Sequence, residues 1–418
     1  MTRVFEALFG SRDEDAWLTA LVDAEKALAA ALAKAGVIPA EAASEIARVP
    51  VSFDAAELGR QALGAGNPVV PLVRRLRAQV SSETARYVHF GATSQDIMDT
   101  AAMLVAKNAV GAMLTNVDAS ADACAALADE HRDTVMIART LMQHALPTTF
   151  GLKCAGWLVA LDEAAANLRR LRFTAQLGGA VGTLSVFGDT TVPRLFAAEL
   201  GLDEPVIPWH TNRTRMGELA GAFGVLGGVL GKIALDVTLL AQTEVGEVAE
   251  SSGGGSSTMP HKQNPVRSVL ITAATRQVPG LVATMLAAMP QEHERAAGAW
   301  HAEWETLNSM CGMLSTACAR TRDLLTGLRV DRERMRANVD MTGGLVMAEA
   351  VVTALAPAMG RATASEVVTE LATSGRPFRS ALLTDPRISL SEEDIDKALD
   401  PAAYLGAANE LTDRALRR

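Results

Sequence analysis

A proline-free stretch from Trp209 to Ser251 constrains the fold of this chain more than any other feature of its sequence. If the whole stretch were helical, its residues, about 40 in number, would extend roughly 60 Å at 1.5 Å per residue, longer than an ordinary globular helix. Glycines recur along it and cost helix propensity, so we interpret them as sites of close helix approach. These glycines are Gly217, Gly221, Gly224, Gly227, Gly228 and Gly231. The stretch therefore predicts a long helix in the core of a bundle or an oligomer.

Helical periodicity also dominates the rest of the chain. Apolar residues spaced three and four apart predict further helices. The predicted helices cover Trp17–Leu32, Ile97–Ala128, Gly151–Gln176, Pro265–Met289 and Ala302–Leu328. The chain is 49% apolar but only 4% aromatic, and its abundant alanine and leucine favour helices. Strand-like alternation is scarce, so we predict an all-α fold.

Polar interruptions of the helical pattern indicate domain boundaries near Phe90–Ala92 and within Arg329–Thr342. We predict an N-terminal helical domain at residues 1–95, a central long-helix bundle at 96–330 and a C-terminal helical domain at 331–418. The apolar stripes of such a bundle need partner subunits to cover them. We therefore expect a homo-oligomer.

Charge and composition exclude several classes of protein. The net charge of −9 argues against nucleic-acid binding, which needs clustered cations. No leader-like segment follows Met1, and no apolar run reaches the roughly 18 residues that span a bilayer. The four cysteines form no C-x-x-C pair, and no zinc-like spacing, phosphate loop or dinucleotide fingerprint occurs. We expect a cytoplasmic protein that needs no metal or cofactor and binds no membrane.

The segment Ser251–Pro265 is the strongest candidate for chemistry. Its three consecutive glycines leave the backbone nearly unrestrained, so it can open and close over a substrate. Two serines follow, and then Lys262 and Asn264, which can bind carboxylate oxygens. A flexible linker is the alternative, but it does not explain the sequence Met-Pro-His-Lys-Gln-Asn-Pro at its end.

Three further polar segments interrupt the helices. They are His89–Asp96, Ala138–Gly151 and Gln291–Trp304. The first can simply cap the next helix, the second can be a loop whose polar groups satisfy each other, and the third can be a solvated corner. Each has this structural alternative when it is taken alone.

The run Gly255–Pro265, GSSTMPHKQNP, resembles the shared fingerprint of the fumarase/aspartase superfamily. His89–Asp96 and Arg139–Gly151 resemble two other regions of that superfamily, so the likeness covers essentially the whole chain. The resemblance implies a homotetramer in which three subunits contribute to each active site.

Within the superfamily, Ala138–Pro147, Pro208–Arg213 and Gln291–Trp304 resemble the 3-carboxy-cis,cis-muconate cycloisomerases. Adenylosuccinate lyases are similar but carry a general-acid histidine where this chain has Leu141, which cannot donate a proton. The segment Ala296–Trp304 is also too apolar to serve a nucleotide phosphate. The resemblance implies a small polycarboxylate substrate and lactone formation in the β-ketoadipate route of aromatic catabolism.

The resemblance also implies roles for individual residues. Ser256, with Ser257 beside it, is expected to move the proton on the carbon next to a carboxylate. His144 and His89 are the candidates for a general acid. The residues expected to bind substrate are Thr93, Ser94, Gln95, Arg139, Thr140, Gln143, Lys262, Asn264 and Arg295.

Two other functions remain open from the sequence. An adenylosuccinate-lyase-like enzyme, or another lyase releasing fumarate from a substituted succinate, would keep the loop and change Leu141, His144 and Trp300. A non-catalytic helical scaffold would place no constraint on the polar residues of the loop, yet all of them are present.

Overall fold

The computed structural model describes residues 5–10, 13–50, 54–251, 254–255, 259 and 262–418. Over these residues the chain is mainly helical, which confirms the all-α prediction. The chain divides into two compact units. The first unit contains residues 1–116, 164–230 and 273–319, and the second contains residues 117–163, 231–272 and 320–418. The three-domain division stays a prediction.

The helices are α1 (Glu6–Phe9), α2 (Glu14–Lys34), α3 (Ala40–Ala47), α4 (Ala55–Ala62), α5 (Val69–Ala78), α6 (Ser82–Ala85), α7 (Ser94–Glu130), α8 (Phe150–Arg169), α9 (Thr191–Glu199), α10 (Thr214–Leu240), α11 (Val266–Thr275), α12 (Val278–Ala287), α13 (Ala299–Thr326), α14 (Arg332–Asp340), α15 (Ala348–Met359), α16 (Arg361–Ala372), α17 (Phe378–Thr384), α18 (Glu392–Leu399) and α19 (Ala408–Leu416). The strands are β1 (Val135–Thr140), β2 (Gln143–Thr149), β3 (Val248–Glu250), β4 (Gly254–Gly255), β5 (Gln263–Asn264) and β6 (Leu328–Val330). They pair antiparallel as β1 with β2, β3 with β6 and β4 with β5.

The proline-free stretch is helical over a shorter range than the sequence predicted. Helix α10 has 27 residues and ends at Leu240. The chain then reverses through Gly246, whose φ of +65° lies in the left-handed region, and the N–H of Glu247 donates to the Leu240 carbonyl at 2.9 Å. The prediction of about 40 helical residues was therefore wrong, because a turn without proline ends the helix.

Two other predicted helices are shorter or broken. Helix α8 ends at Arg169, and the chain beyond it is extended, with the N–H of Ala175 bonded to the carbonyl of Asp203 at 3.0 Å. The predicted helix Pro265–Met289 is two helices, α11 and α12, because Pro279 lacks an N–H and is tolerated only in the first turn of a helix.

Small residues on α10 do permit close helix approach, as predicted. A Cβ added at Gly217 would lie 2.6 Å from the sulfur of Met289, and one at Gly224 would lie 3.2 Å from Val282. Gly221, by contrast, has no such neighbour within 4 Å. Glycine at the first two positions therefore lets Met289 and Val282 pack closely against the backbone of α10.

Three helical segments are long and apolar enough to cross a membrane, so the prediction that no apolar run reaches that length was wrong. They are Ser94–Glu130, Thr214–Leu240 and Val266–Ala287. A fourth span would require Arg332–Asp340 and Leu345–Met359, bent by 77°, to act as one. The apolar windows of the first three are 61%, 44% and 28% buried. This result rests on length and composition alone, and the window of the third segment is the least buried of the three.

Candidate active site

The start of α7 brings two predicted substrate-binding residues together. Thr93 precedes the first turn, and its hydroxyl accepts a hydrogen bond from Arg295 Nη1 at 3.0 Å. Arg295 Nη2 donates to the carbonyl of Ala180 at 2.8 Å. The half-buried Ser94 hydroxyl has no hydrogen-bond partner within the described ranges. A guanidinium, two hydroxyls and the positive end of a long helix together form a site suited to a carboxylate.

The buried Asp96 organises this site through four hydrogen bonds. Its Oδ1 accepts from the N–H of Gly178 at 2.9 Å and lies 2.7 Å from His210 Nε2. Its Oδ2 accepts from the N–H groups of Gly179 and Thr93, both at 2.9 Å. The sequence analysis did not identify His210 or Asp96 as functional. The resemblance carried by Pro208–Arg213 was the available signal.

Gln95 lies inside the first unit and is fully buried. Its Nε2 donates to Asp99 Oδ2 at 3.1 Å and to the carbonyl of His210 at 2.8 Å. Both amide protons are therefore used within the protein. Its Oε1 has no hydrogen-bond partner among the described residues, and the predicted contact between Gln95 and substrate stays a prediction.

His89 has a buried carboxylate partner. Its Nδ1 lies 2.6 Å from Glu25 Oε1, and its φ is +62°. Burial lowers the pKa of His89, but the negative charge of Glu25 and its hydrogen bond outweigh burial, so the net shift of the pKa is upward. The partner carboxylate therefore favours the protonated form of His89, and its role as a general acid stays a prediction.

We expect the Glu25–His89 pair to stabilise the protein in a pH-dependent way. The folded-state pKa of His89 lies above that of an unfolded histidine, about 6.5. The stability from this pair is therefore complete below about pH 6.5 and is lost as the pH rises through the folded-state pKa. Urea denaturation of the wild type and of Glu25→Gln, between about pH 5.5 and 9, measures the free energy of unfolding that the pair contributes at each pH. A difference in unfolding free energy between the two proteins that is the same at every pH would contradict the expectation. Glu41→Gln, at an exposed position, is the control.

A buried ionic network ties the starts of α7, α10 and α13 together. The fully buried Arg213 donates to both oxygens of Asp99, at 2.8 and 3.0 Å, and from Nε to Glu303 at 2.9 Å. Trp300 Nε1 donates to Asp99 at 3.0 Å, and Gln291 to Glu303 at 3.1 Å. Burial raises the pKa of Glu303, although Arg213 opposes the shift. Because Gln291 and Trp300 both bond to this network, it holds both ends of the segment 291–300, which carries Arg295.

The second unit carries four predicted site residues on a β-hairpin rather than on a polar turn. Thr140 pairs with Gln143, and Arg139 with His144. Leu141 and Met142 form the two-residue turn, with φ of +49° and +66°. The structural alternative of a loop whose polar groups satisfy each other was wrong, because β1 and β2 form an antiparallel ladder that pairs their backbone groups. The half-buried His144 lines a cavity of about 570 Å³ beside Arg139 and Met142.

Arg139, one residue pair from the turn of this hairpin, forms an ion pair with the fully buried Glu247. It donates to the two carboxylate oxygens of Glu247 at 2.7 and 3.0 Å. Asn338 Nδ2 donates to the same carboxylate at 2.7 Å. The guanidinium therefore anchors the hairpin, and the contact between Arg139 and substrate stays a prediction.

The predicted proton-transfer residues Ser256 and Ser257 lie outside the described residues. Lys262 is exposed, and Asn264 pairs with Gly254 across the β4–β5 ladder. Both belong to the second unit, with the hairpin residues. Thr93, Ser94, Gln95, His89 and Arg295 belong to the first unit.

Neither a metal centre nor a reactive thiol is found in the part of the chain that the structure describes. Within it, no three His, Cys, Asp or Glu side chains converge as a metal site requires. Burial raises the pKa of Cys124, Cys311 and Cys318 to about 12. These thiols are therefore protonated near neutral pH and are poor nucleophiles.

We expect the double variant Leu141→Asn/Met142→Gly to be more stable than the wild type. Both residues have positive φ, which costs a non-glycine residue about 1–2 kcal/mol and which Asn-Gly adopts readily. Urea denaturation should show a gain of about 1 kcal/mol, while kcat/KM falls if the turn contacts substrate. Leu63→Asn, at an 84% exposed position with φ −53°, is the control. Unchanged stability would show that the turn is unstrained.

Comparison with known families identifies the class of protein. A family model described as "Lyase" matches residues 4–280, and one described as "Adenylosuccinate lyase C-terminus" matches residues 344–415. The chain belongs to the fumarase/aspartase superfamily of lyases.

Individual relatives narrow the class. The chain is 44% identical to a 3-carboxy-cis,cis-muconate cycloisomerase of Pseudomonas aeruginosa, over 100% of this chain and 94% of the relative. It is 43% identical to a nitrosuccinate lyase of Streptomyces davaonensis, over 96% of this chain and 90% of the relative. The solved structure of the 3-carboxy-cis,cis-muconate lactonizing enzyme from Pseudomonas putida matches with a TM-score of 0.94 and 40% identity, over 100% of this chain and 98% of that one.

Proposed function

We propose that this chain interconverts 3-carboxy-cis,cis-muconate and a carboxymuconolactone in aromatic catabolism. The observation that carries the proposal is the full-length likeness to cycloisomerases, in sequence and in structure. The carboxylate site formed by Thr93, Ser94 and Arg295 supports a polycarboxylate substrate.

The reaction needs one carbon–oxygen bond and one proton transfer. A carboxylate oxygen of the substrate adds to a carbon of the conjugated diene, and the displaced electron pair moves toward a neighbouring carboxylate. The resulting aci-carboxylate takes a proton from the Ser256 hydroxyl, and the reverse reaction returns that proton to the serine oxygen. Arg295 and Lys262 supply positive charge for the intermediate. No group leaves the substrate, so atoms and charge balance with one proton added.

An aliphatic side chain at position 141 fits this chemistry. A lyase that expels an amine benefits from an acid that protonates the leaving group. Ring opening of a lactone instead expels a carboxylate, which is stable without a proton. The 97% exposed Leu141 is therefore compatible with cycloisomerisation without a further acid at the hairpin tip.

Turnover by the purified protein tests the proposal. With 3-carboxy-cis,cis-muconate we expect the ultraviolet absorbance of the conjugated diene to fall. The likeness to a nitrosuccinate lyase favours a second candidate, a lyase acting on a substituted succinate. That function predicts fumarate formation from nitrosuccinate and an unchanged diene. Absence of turnover with either substrate would favour the scaffold alternative.

We further propose a cytoplasmic homotetramer whose subunits share active sites. Three exposed apolar side chains on α11 and α12 support an interface there: Val266, Val269 and Leu286 are 39%, 51% and 47% exposed. Covering these side chains would remove apolar surface from water. Sedimentation equilibrium should give four times the mass of 43.9 kDa, and a stable, active monomer would overturn the proposal.

A further inference from the structure

Helix α11 begins directly after Pro265, and this creates a local need for hydrogen-bond acceptors. The first N–H groups of a helix have no partner within the helix, and proline has no side-chain oxygen to cap them. Glu250 supplies the acceptor from the far end of the loop. Its carboxylate accepts from the N–H of Arg267 at 3.0 Å, and from the N–H and hydroxyl of Ser268 at 2.9 and 2.8 Å.

The Glu250 carboxylate is buried and accepts these three hydrogen bonds, and it has no ion pair with a cation of the described residues. Its negative charge lies at the positive end of α11, where the helix dipole favours it. A glutamine in the same place would lose the charge and would keep only one acceptor oxygen, so its NH2 group would face one of the two helix N–H groups. A carboxylate therefore suits the site better than an amide.

Arg329 holds the same two parts of the chain through a second contact. Its Nη2 donates to the Glu250 carbonyl at 3.2 Å and to Gln263 Oε1 at 3.0 Å. The β4–β5 ladder pairs Gly254 with Asn264. The residue before the loop and the residues at its end are thus joined by a side-chain cap, an arginine bridge and a backbone ladder.

Gly327, the residue before β6, lies close to the residue that follows β3. A Cβ added at Gly327 would lie 2.3 Å from the hydroxyl of Ser251, the first residue of the loop. At the other end of β3, Glu247 binds Arg139 of the hairpin. The four-residue segment Glu247–Glu250 therefore anchors both the hairpin and the loop of the second unit.

We infer that Glu250 is a positioning residue for the reaction, because its cap on α11 sets where Lys262 and Asn264 stand. Its catalytic consequence rests on the proposed function, whereas its effect on the loop does not. Glu250 itself is buried and acts through the backbone of α11 and not on substrate.

The test is Glu250→Gln in the full-length protein. We expect kcat for 3-carboxy-cis,cis-muconate to fall at least tenfold while KM changes less than about threefold, since misplacement of transition-state contacts lowers kcat. Hydrogen exchange at the amides of residues 262–268, measured without substrate, should become at least tenfold faster. Ser391→Ala removes the cap of α18 far along the chain and is the matched control for simple loss of a helix cap.

Two milder variants keep the inference testable if Glu250→Gln does not fold. Ser268→Ala removes one hydrogen-bond donor to Glu250, and Arg329→Lys removes the guanidinium that bonds to both the Glu250 carbonyl and Gln263. Both variants should accelerate hydrogen exchange at the amides of residues 262–268 and lower kcat severalfold. Unchanged exchange, or a fall in activity no larger than that of Ser391→Ala, would overturn the inference. If the wild type does not turn over the substrate, the proposed function fails, and exchange alone decides the role of Glu250.

Discussion

Replacing Ser256 by alanine is expected to lower kcat by about 10³-fold, with KM changed only a few-fold, because loss of a general acid or base costs about 10²–10⁴ in rate. The serine is proposed to exchange its proton with the carbon next to a carboxylate, and alanine has no proton to exchange. Its alkoxide form needs help near neutral pH, which the neighbouring Lys262 and loop N–H groups are proposed to give. Steady-state kinetics on the diene absorbance measure the effect.

Ser257→Ala is the matched control for this prediction, because it removes the same atom one residue away. We expect it to cost less than about tenfold in kcat. A large loss in Ser257→Ala with near-normal Ser256→Ala would move the proton-transfer role to the second serine. Near-normal activity in both variants would remove the loop hydroxyls from the mechanism.

Arg213→Met is expected to destabilise the protein by about 3–5 kcal/mol, because it leaves two buried carboxylates without their cation. The side chains of Asp99 and Glu303 are 3% and 2% exposed, so water cannot replace the arginine. Burial already raises the pKa of Glu303, and loss of the opposing arginine should raise that pKa further. The destabilisation should then shrink as the pH falls and the Glu303 carboxylate becomes protonated.

Urea denaturation at several pH values measures this loss. Arg172→Met is the control, because its 2.7 Å ion pair with Asp203 has side chains that are 74% and 41% exposed. Such exposed pairs contribute about 0–1 kcal/mol. Adding Asp99→Asn and Glu303→Gln to Arg213→Met should recover part of the stability. Equal losses in the two arginine variants would contradict the importance of the buried network.

The helical class and the main helices could be predicted from the sequence because apolar spacing reports directly on a helix face. The ends of helices were less predictable. Helix α10 stops at Leu240 through a turn at Gly246 that a pattern of apolar residues does not reveal. The break before α12 carried a readable signal in Pro279. The β1–β2 hairpin was missed because its turn, Leu141–Met142, has none of the residues that usually adopt positive φ.

The candidate site was predictable as a set of segments but not as a set of contacts. Sequence motifs placed Thr93 and Arg295 in one site, and the structure joins them by a hydrogen bond. Motifs do not show which members of a segment point inward. Gln95 and Arg139 were grouped with the substrate-binding residues, and the structure adds that Gln95 Nε2 binds Asp99 and that the Arg139 guanidinium binds Glu247. The partners of these side chains come from distant parts of the chain, and the spacing of residues within one motif does not reveal them.

The two hydrogen bonds that hold Arg295 have a consequence for the entropy of substrate binding. Thr93 and the carbonyl of Ala180 fix the guanidinium from two sides, and Asp96 in turn fixes the backbone at Thr93 and Gly179. A free arginine side chain carries about 2 kcal/mol of rotamer entropy. In this protein much of that freedom is already lost on folding, so an incoming carboxylate meets a guanidinium that is ordered before it binds.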